Sequence, residues 1–171
     1  MVGDREKEVK KVLVALDCTL KVVQEAKDNN VDLIITHHPL IFRRPNNITT
    51  DTLQGKKIIE LIKNDISLYS SHTNLDSAKK GLNDSIPGLL GYDTSEILET
   101  NKRDSEAGLG RLVTLEQATT LEDIINKVKA TFNINNLRVV KGKDEVNKIA
   151  IINGSGQDFI GRAISKGADC I

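Results

Sequence analysis

All three histidines of the chain stand in two short motifs, THHP (Thr36–Pro39) and SHTNLD (Ser71–Asp76). Neutral imidazole is the commonest protein metal ligand and suits zinc, iron, nickel and similar ions. Asp76, four residues after His72, adds a carboxylate. His37, His38, His72 and Asp76 are therefore the candidate metal-site residues. Neighbouring side chains on a regular strand point to opposite faces, so His37 and His38 cannot both grip one ion from such a strand. Either the backbone turns at His38-Pro39, or each imidazole serves a different ion, as in a two-metal centre whose ions lie roughly 3.5–4 Å apart. A competing reading makes one histidine a hydrogen-bonded core residue and the other a turn cap, with Asp76 capping the following helix. His72 could also orient Asp76 or meet substrate as an outer residue. Asp17, in LDCT, reads first as a helix cap and second as a partner of the site.

A second kind of chemistry belongs to Gly154-Ser155-Gly156. A glycine turn between a strand and a helix presents backbone N–H groups to an anion, here a phosphate, although a tight turn without ligand fits equally. Arg43-Arg44 reads as a solvated loop pair. Cys18 and Cys170 lack CxxC spacing and are expected as reduced thiols without a catalytic role.

The elements that must position these groups follow from hydrophobic patterning. Lys10 to Asp17 alternates and reads as a strand; Thr19 suits an N-cap, with Leu20, Val23 and Ala26 at helical spacing. Asp32 to Thr36 is a continuous apolar run, expected of a strand covered on both faces. Strand, helix and strand make a βαβ unit with parallel strands, and ligands gather at the carboxyl ends of such strands. Asp17 and His37-His38 lie there. Further expectations are a helix over Thr52 to Lys63, a strand over Ile66 to Ser70 and a helix over Lys79 to Leu90 interrupted or restarted at Pro87. Beyond these come a strand over Leu109 to Leu115 and a helix over Thr119 to Phe132 capped by Thr120. The chain then reads as strands at LRVVK and KIAIIN, a helix from Asp158 to Lys166, and a last strand, ADCI.

Lys11 to Ile34 aligns without a gap on Lys148 to Ile171, with Lys11, Ala26, Asp32 and Ile34 falling on Lys148, Ala163, Asp169 and Ile171. Two copies of one βαβ-like unit explain the match, and so does the general likeness of such units. The second copy stops before its counterpart of the THH turn, so the chain is expected to be incomplete. With 24 basic and 24 acidic side chains, 3% aromatic residues and no tryptophan, composition offers no footprint for nucleic acid. No apolar run is long enough for a membrane span and no signal peptide is evident, so the cytosol is the expected compartment.

In order along the chain, LVALDCT, DLIITHHPLIF, SHTNLD, the GLGR of Gly108 to Arg111, and NGSG followed by a helix and ADCI resemble the Nif-three-like family of dinuclear-metal proteins, described as GTP cyclohydrolase I type 2-like. The likeness runs over about residues 3 to 171. It implies an α/β fold of βαβ units with mixed sheets and two pseudo-equivalent halves, residues 1–100 and 101–171, truncated at both ends. It also implies two divalent metal ions (zinc, iron, manganese or nickel) held by His37, His38 and Asp76, with His72 near them as a catalytic residue steering water or substrate. The family's remaining histidine and glutamate ligands lie in a later segment, so this chain would hold part of the site. The implied activity is hydrolysis of a nucleotide by a ring-shaped homo-oligomer; a non-catalytic metal-binding scaffold or regulator-interacting protein is the alternative.

Overall fold

The computed structural model describes residues 1–171. The chain divides into two compact units, Met1–Thr73 and Asn74–Ile171. In the first, β1 (Val12–Ala15), β2 (Leu33–Thr36) and β3 (Ser67–Ser70) form a parallel sheet in the order β1-β2-β3. The connections are helices α1 (Leu20–Asp28) and α2 (Leu53–Lys63). Both helices start as their sequences dictate. Thr19 caps α1 by accepting the Val22 N–H, and Thr52 caps α2 by accepting that of Gly55.

Val23 and Ala26 of α1 and Leu61 of α2 pack with Ile34 and Leu68, which are register partners on β2 and β3. One sheet face is thus covered by both crossovers. The opposite face is more open: Leu33 and Ile35 are half-buried, and Val14 of the edge strand is 74% exposed. The unbroken apolar run of β2 therefore does not mean burial on both faces within this chain, as its sequence suggested.

In the second unit, α3 (Thr73–Ser77, starting at the boundary) is followed by α4 (Leu82–Leu89). An antiparallel sheet then runs in the order β4-β5-β6, with β4 at Glu96–Asn101, β5 at Asp104–Thr120 and β6 at Glu145–Ile151. The sheets of the chain are thus mixed in type, as expected. Helix α5 (Leu121–Phe132) has the expected cap, Thr120 accepting the Asp123 N–H. Leu98, Leu112, Ala150 and Ala163 make one core cluster here, and Val113, Ile124, Val146 and Ile149 another.

Four expectations are corrected in this unit. Pro87 lies inside α4 instead of interrupting a helix over Lys79 to Leu90; it forfeits one N–H donor, and the helix closes two residues later. LRVVK is not a strand: Val140 is 98% exposed, and the segment's β propensity finds no ladder and no face to bury. The helix expected from Asp158 opens as a 3₁₀ turn, Gly156–Phe159, before α6 (Ile160–Ser165). ADCI contributes one isolated parallel bridge, Ile149 to Cys170, rather than a strand.

The internal echo is physical. Asp32 accepts the Lys10 and Lys11 N–H groups at 2.9 and 2.8 Å, and Asp169 those of Asn147 and Lys148 at 3.1 Å each. Lys11 Nζ donates to the Asn29 carbonyl and Lys148 Nζ to that of Lys166. The Ala26 and Ala163 carbonyls receive the Val31 and Ala168 N–H groups. Asn30 and Gly167, also equivalent, both take the left-handed backbone that ends the helix. The Lys and Asp side chains make the same bonds in the two copies, and both alanines are fully buried.

Candidate metal centre

The parallel register builds this site. Ala15, Thr36 and Ser70 share the last row across the three strands, and just beyond it His38 meets the Asp17 carboxylate at 2.9 Å and its ring centroid lies 5.9 Å from that of His72. His37 stands beside Ser71. Hydrogen bonds carry the register past the strands proper: the His38 N–H donates to the Leu16 carbonyl at 3.0 Å and the Ser71 N–H to the Thr36 carbonyl at 2.8 Å. Thr36 is buried, and its hydroxyl lies 2.9 Å from both the His38 carbonyl and the Ser70 hydroxyl, locking the turn.

β2 ends at Thr36, so the His37-His38 pair stands beyond the regular strand and the two-face constraint does not apply. The His37 ring centroid lies 5.1 Å from that of His38 and 5.0 Å from that of His72. One possible ligand atom from each histidine can be chosen such that all lie within 4.8 Å of one another. Two of the rings are oriented from outside. His37 Nδ1 is 3.0 Å from the Ser71 carbonyl, and His38 Nδ1 is 2.9 Å from the Asp17 carboxylate. A carbonyl and a carboxylate only accept, so each Nδ1 is assigned a proton, which makes Nε2 the nitrogen that could ligate a metal. That tautomer, fixed by an outer acceptor, is the one found in metal-ligating histidines. The donor set fits a divalent transition metal.

Asp17 is thus not the cap of α1, which is Thr19; it orients His38. Sequence reading also passed over the Ser71 carbonyl and Phe42, whose ring meets His72 edge-on at 6.4 Å and is 75% exposed. Between the two roles read for Asp17, the structure selects the second, because it brings the Asp17 carboxylate to His38. Asp76 stands in the first turn of α3, in the second unit, where its backbone carbonyl receives Asn83 Nδ2 at 2.8 Å. The histidine cluster is formed by the first unit alone.

At Gly154-Ser155-Gly156, Gly154 takes φ +68° and its carbonyl accepts the Gly156 N–H at 3.0 Å, so this N–H closes the turn. Arg43 and Arg44 are exposed. Cys18 and Cys170 are free thiols, and burial pushes both pKa values up, so neither is a poised thiolate. No helix is long and apolar enough to cross a membrane.

The family model described as Duf34/NIF3 (NGG1p interacting factor 3) matches residues 1–171. The chain is 56% identical over 172 residues to a GTP cyclohydrolase 1 type 2 homolog of Clostridium perfringens, covering 100% of this chain and 66% of that protein. It is 51% identical over 173 residues to the homolog of Clostridium acetobutylicum, covering 100% and 65%. The chain therefore spans slightly less than two-thirds of these relatives' length. Among solved structures, a Staphylococcus aureus protein superposes with a TM-score of 0.86 at 30% identity, over 99% of this chain and 69% of that one. Reduced HcgD from Methanocaldococcus jannaschii superposes with a TM-score of 0.75 at 34% identity, over 98% and 65%.

Proposed function

The chain belongs to the Duf34/NIF3 family, and from that premise we propose that it binds divalent metal at the carboxyl ends of its parallel sheet. His37 and His38 are ligands through Nε2, and His72 lies beside them as a ligand or as the residue that steers water and substrate. The observation that carries this reading is the three-histidine cluster, with Nδ1 of two of its rings set against an oxygen acceptor. Two ions, a homo-oligomer and a nucleotide substrate belong to the same proposal; the relatives' printed name, a GTP cyclohydrolase 1 type 2 homolog, favours a hydrolase.

A divalent ion there supplies a Lewis acid and lowers the pKa of a water toward neutrality, which hydrolytic ring opening of a purine nucleotide requires. The chain's own residues do the rest. Asp17 and the Ser71 carbonyl keep two imidazoles aimed, Thr36 locks the turn that carries them, and Phe42 forms an exposed apolar wall beside His72. A second reading, a metal-binding interaction protein without catalysis, is favoured by the family's description as an interacting factor.

Bound metal and nucleotide hydrolysis, each measured with and without chelator, separate the two. Stoichiometric metal with no chelator-sensitive turnover of any nucleotide excludes the hydrolase. His38→Ala is expected to lower metal content, and unchanged content refutes the ligand assignment.

A further inference from the structure

The stretch that follows the histidine pair turns from core to surface within a few residues. Pro39, Leu40 and Ile41 are half-buried, and Leu40 packs against the core of the first unit. Gln54 of α2 fixes the backbone there by donating Nε2 to the Leu40 carbonyl at 2.9 Å. Phe42, two residues on, is 75% exposed. An anchored backbone thus carries a phenyl ring outward instead of folding it into the core.

The ring stands at the edge of the histidine cluster. It meets the His72 ring edge-on, with centroids 6.4 Å apart and planes at 87°. His72 in turn lies 5.0 Å from the His37 ring and 5.9 Å from that of His38. All four rings belong to the first unit. The other aromatic side chains are placed differently. Phe159 and Tyr92 pack against cores of the second unit, and Phe132 and Tyr69 are 39% and 37% exposed. Phe42 alone leaves most of its surface to water, and it does so beside the candidate metal ligands.

A phenyl side chain makes no conventional hydrogen bond and offers a flat apolar face. It therefore favours a planar partner, set offset or edge-to-face with centroids about 4.5–7 Å apart. We infer that Phe42 is a specificity residue of the candidate metal centre: it stacks on the planar aromatic ring of a ligand whose polar atoms reach the histidine-bound ion. The inference rests on the proposed metal-binding role of the histidines and narrows the ligand to planar rings, the class to which a purine belongs. Alanine substitution of a stacking aromatic costs roughly 5–150-fold in affinity. One ring covering one face of the ligand belongs near the lower end, about tenfold.

Titration of the cobalt(II)-loaded full chain with two hydroxamates tests it. Both chelate an ion through the same pair of oxygens, and benzohydroxamate carries a phenyl ring where acetohydroxamate has a methyl group. Cobalt content is read first, from the visible absorption of the bound ion. Phe42→Ala is expected to keep its cobalt, to bind benzohydroxamate about tenfold more weakly and to bind acetohydroxamate within about twofold of the parent. Phe42→Leu keeps apolar bulk without a flat ring and should recover less than about half of the logarithmic loss. Equal weakening of both probes, or of neither, overturns the inference, as does a larger recovery in Phe42→Leu. Loss of cobalt from Phe42→Ala also overturns it and makes the ring a structural support for His72. If the parent itself holds no cobalt, the metal reading falls, and the inference with it.

Discussion

Replacing Asp17 by alanine separates a helix cap from an orienting group. The carboxylate lies 2.9 Å from His38 Nδ1, while the cap of α1 is Thr19. Removal leaves His38 free to rotate and to place its proton on Nε2, the nitrogen needed for metal. Outer-partner losses of this kind cost roughly 10–100-fold in metal affinity. Both side chains are about half exposed, 53% for Asp17 and 49% for His38, so water replaces part of what the carboxylate does. The expected loss is therefore near the lower bound, about tenfold, which corresponds to about 1.4 kcal/mol. Competition of the full chain against a chromophoric zinc chelator measures it. Asp17→Asn, which keeps an acceptor but loses the charge, should fall between parent and alanine variant. Thr19→Ala should cost about 1 kcal/mol of stability and leave metal affinity unchanged. If Asp17→Ala binds zinc within twofold of the parent while His38→Ala does not, the orienting role is refuted. If it lowers the melting temperature as Thr19→Ala does, with affinity intact, Asp17 is a cap after all.

Three further outcomes follow from the fold. Leu61 is fully buried between α2 and the sheet, so Leu61→Ala should lower the unfolding free energy by about 2–5 kcal/mol in urea titrations; a change under about 1 kcal/mol contradicts the packing described. Gly110→Ala meets both a left-handed backbone and the Leu98 side chain, and should destabilise by about 1–3 kcal/mol, read from the same titrations. The Asp32 carboxyl is held below its ordinary range by the Lys10 and Lys11 N–H groups, and that of Asp169 by Lys143 and then the Asn147 N–H. Their stabilisation is fully present above the unfolded carboxyl pKa of about 3.9 and is lost as pH falls through the lower folded values. The urea midpoint of the parent should drop across that acid window, and less steeply in Asp32→Ala; parallel acid limbs refute the linkage.

The parallel βαβ start was legible in the sequence because local rules and global fold agree there: Thr19 caps α1 as its position announces, and Thr120 does the same for α5 in the second unit. The Lys11/Lys148 and Asp32/Asp169 identities were legible as an echo, and the structure shows the shared hydrogen bonds behind them. Pattern failed where a partner was lacking. LRVVK has the composition of a strand, yet a strand exists only with a ladder, and no local signal reports its absence. The apolar run of β2 suggested cover on both faces, but the crossover helices cover only one within this chain.

For the site, residue types alone singled out His37, His38 and His72 as metal candidates, since no other histidines exist and both motifs follow strands. What the three imidazoles do together was decided by register. A parallel pairing offset by one residue would move Asp17 away from His38 and His37 away from the Ser71 carbonyl. Register depends on how α1 and α2 seat Val23, Ala26 and Leu61 against Ile34 and Leu68, a packing choice made over dozens of residues of intervening chain. The sequence by itself determined which side chains are available for metal chemistry and that they stand at strand ends. Only the tertiary structure decided that these ends align, that the backbone leaves the strand at Thr36, and that Asp17 faces an imidazole instead of a helix.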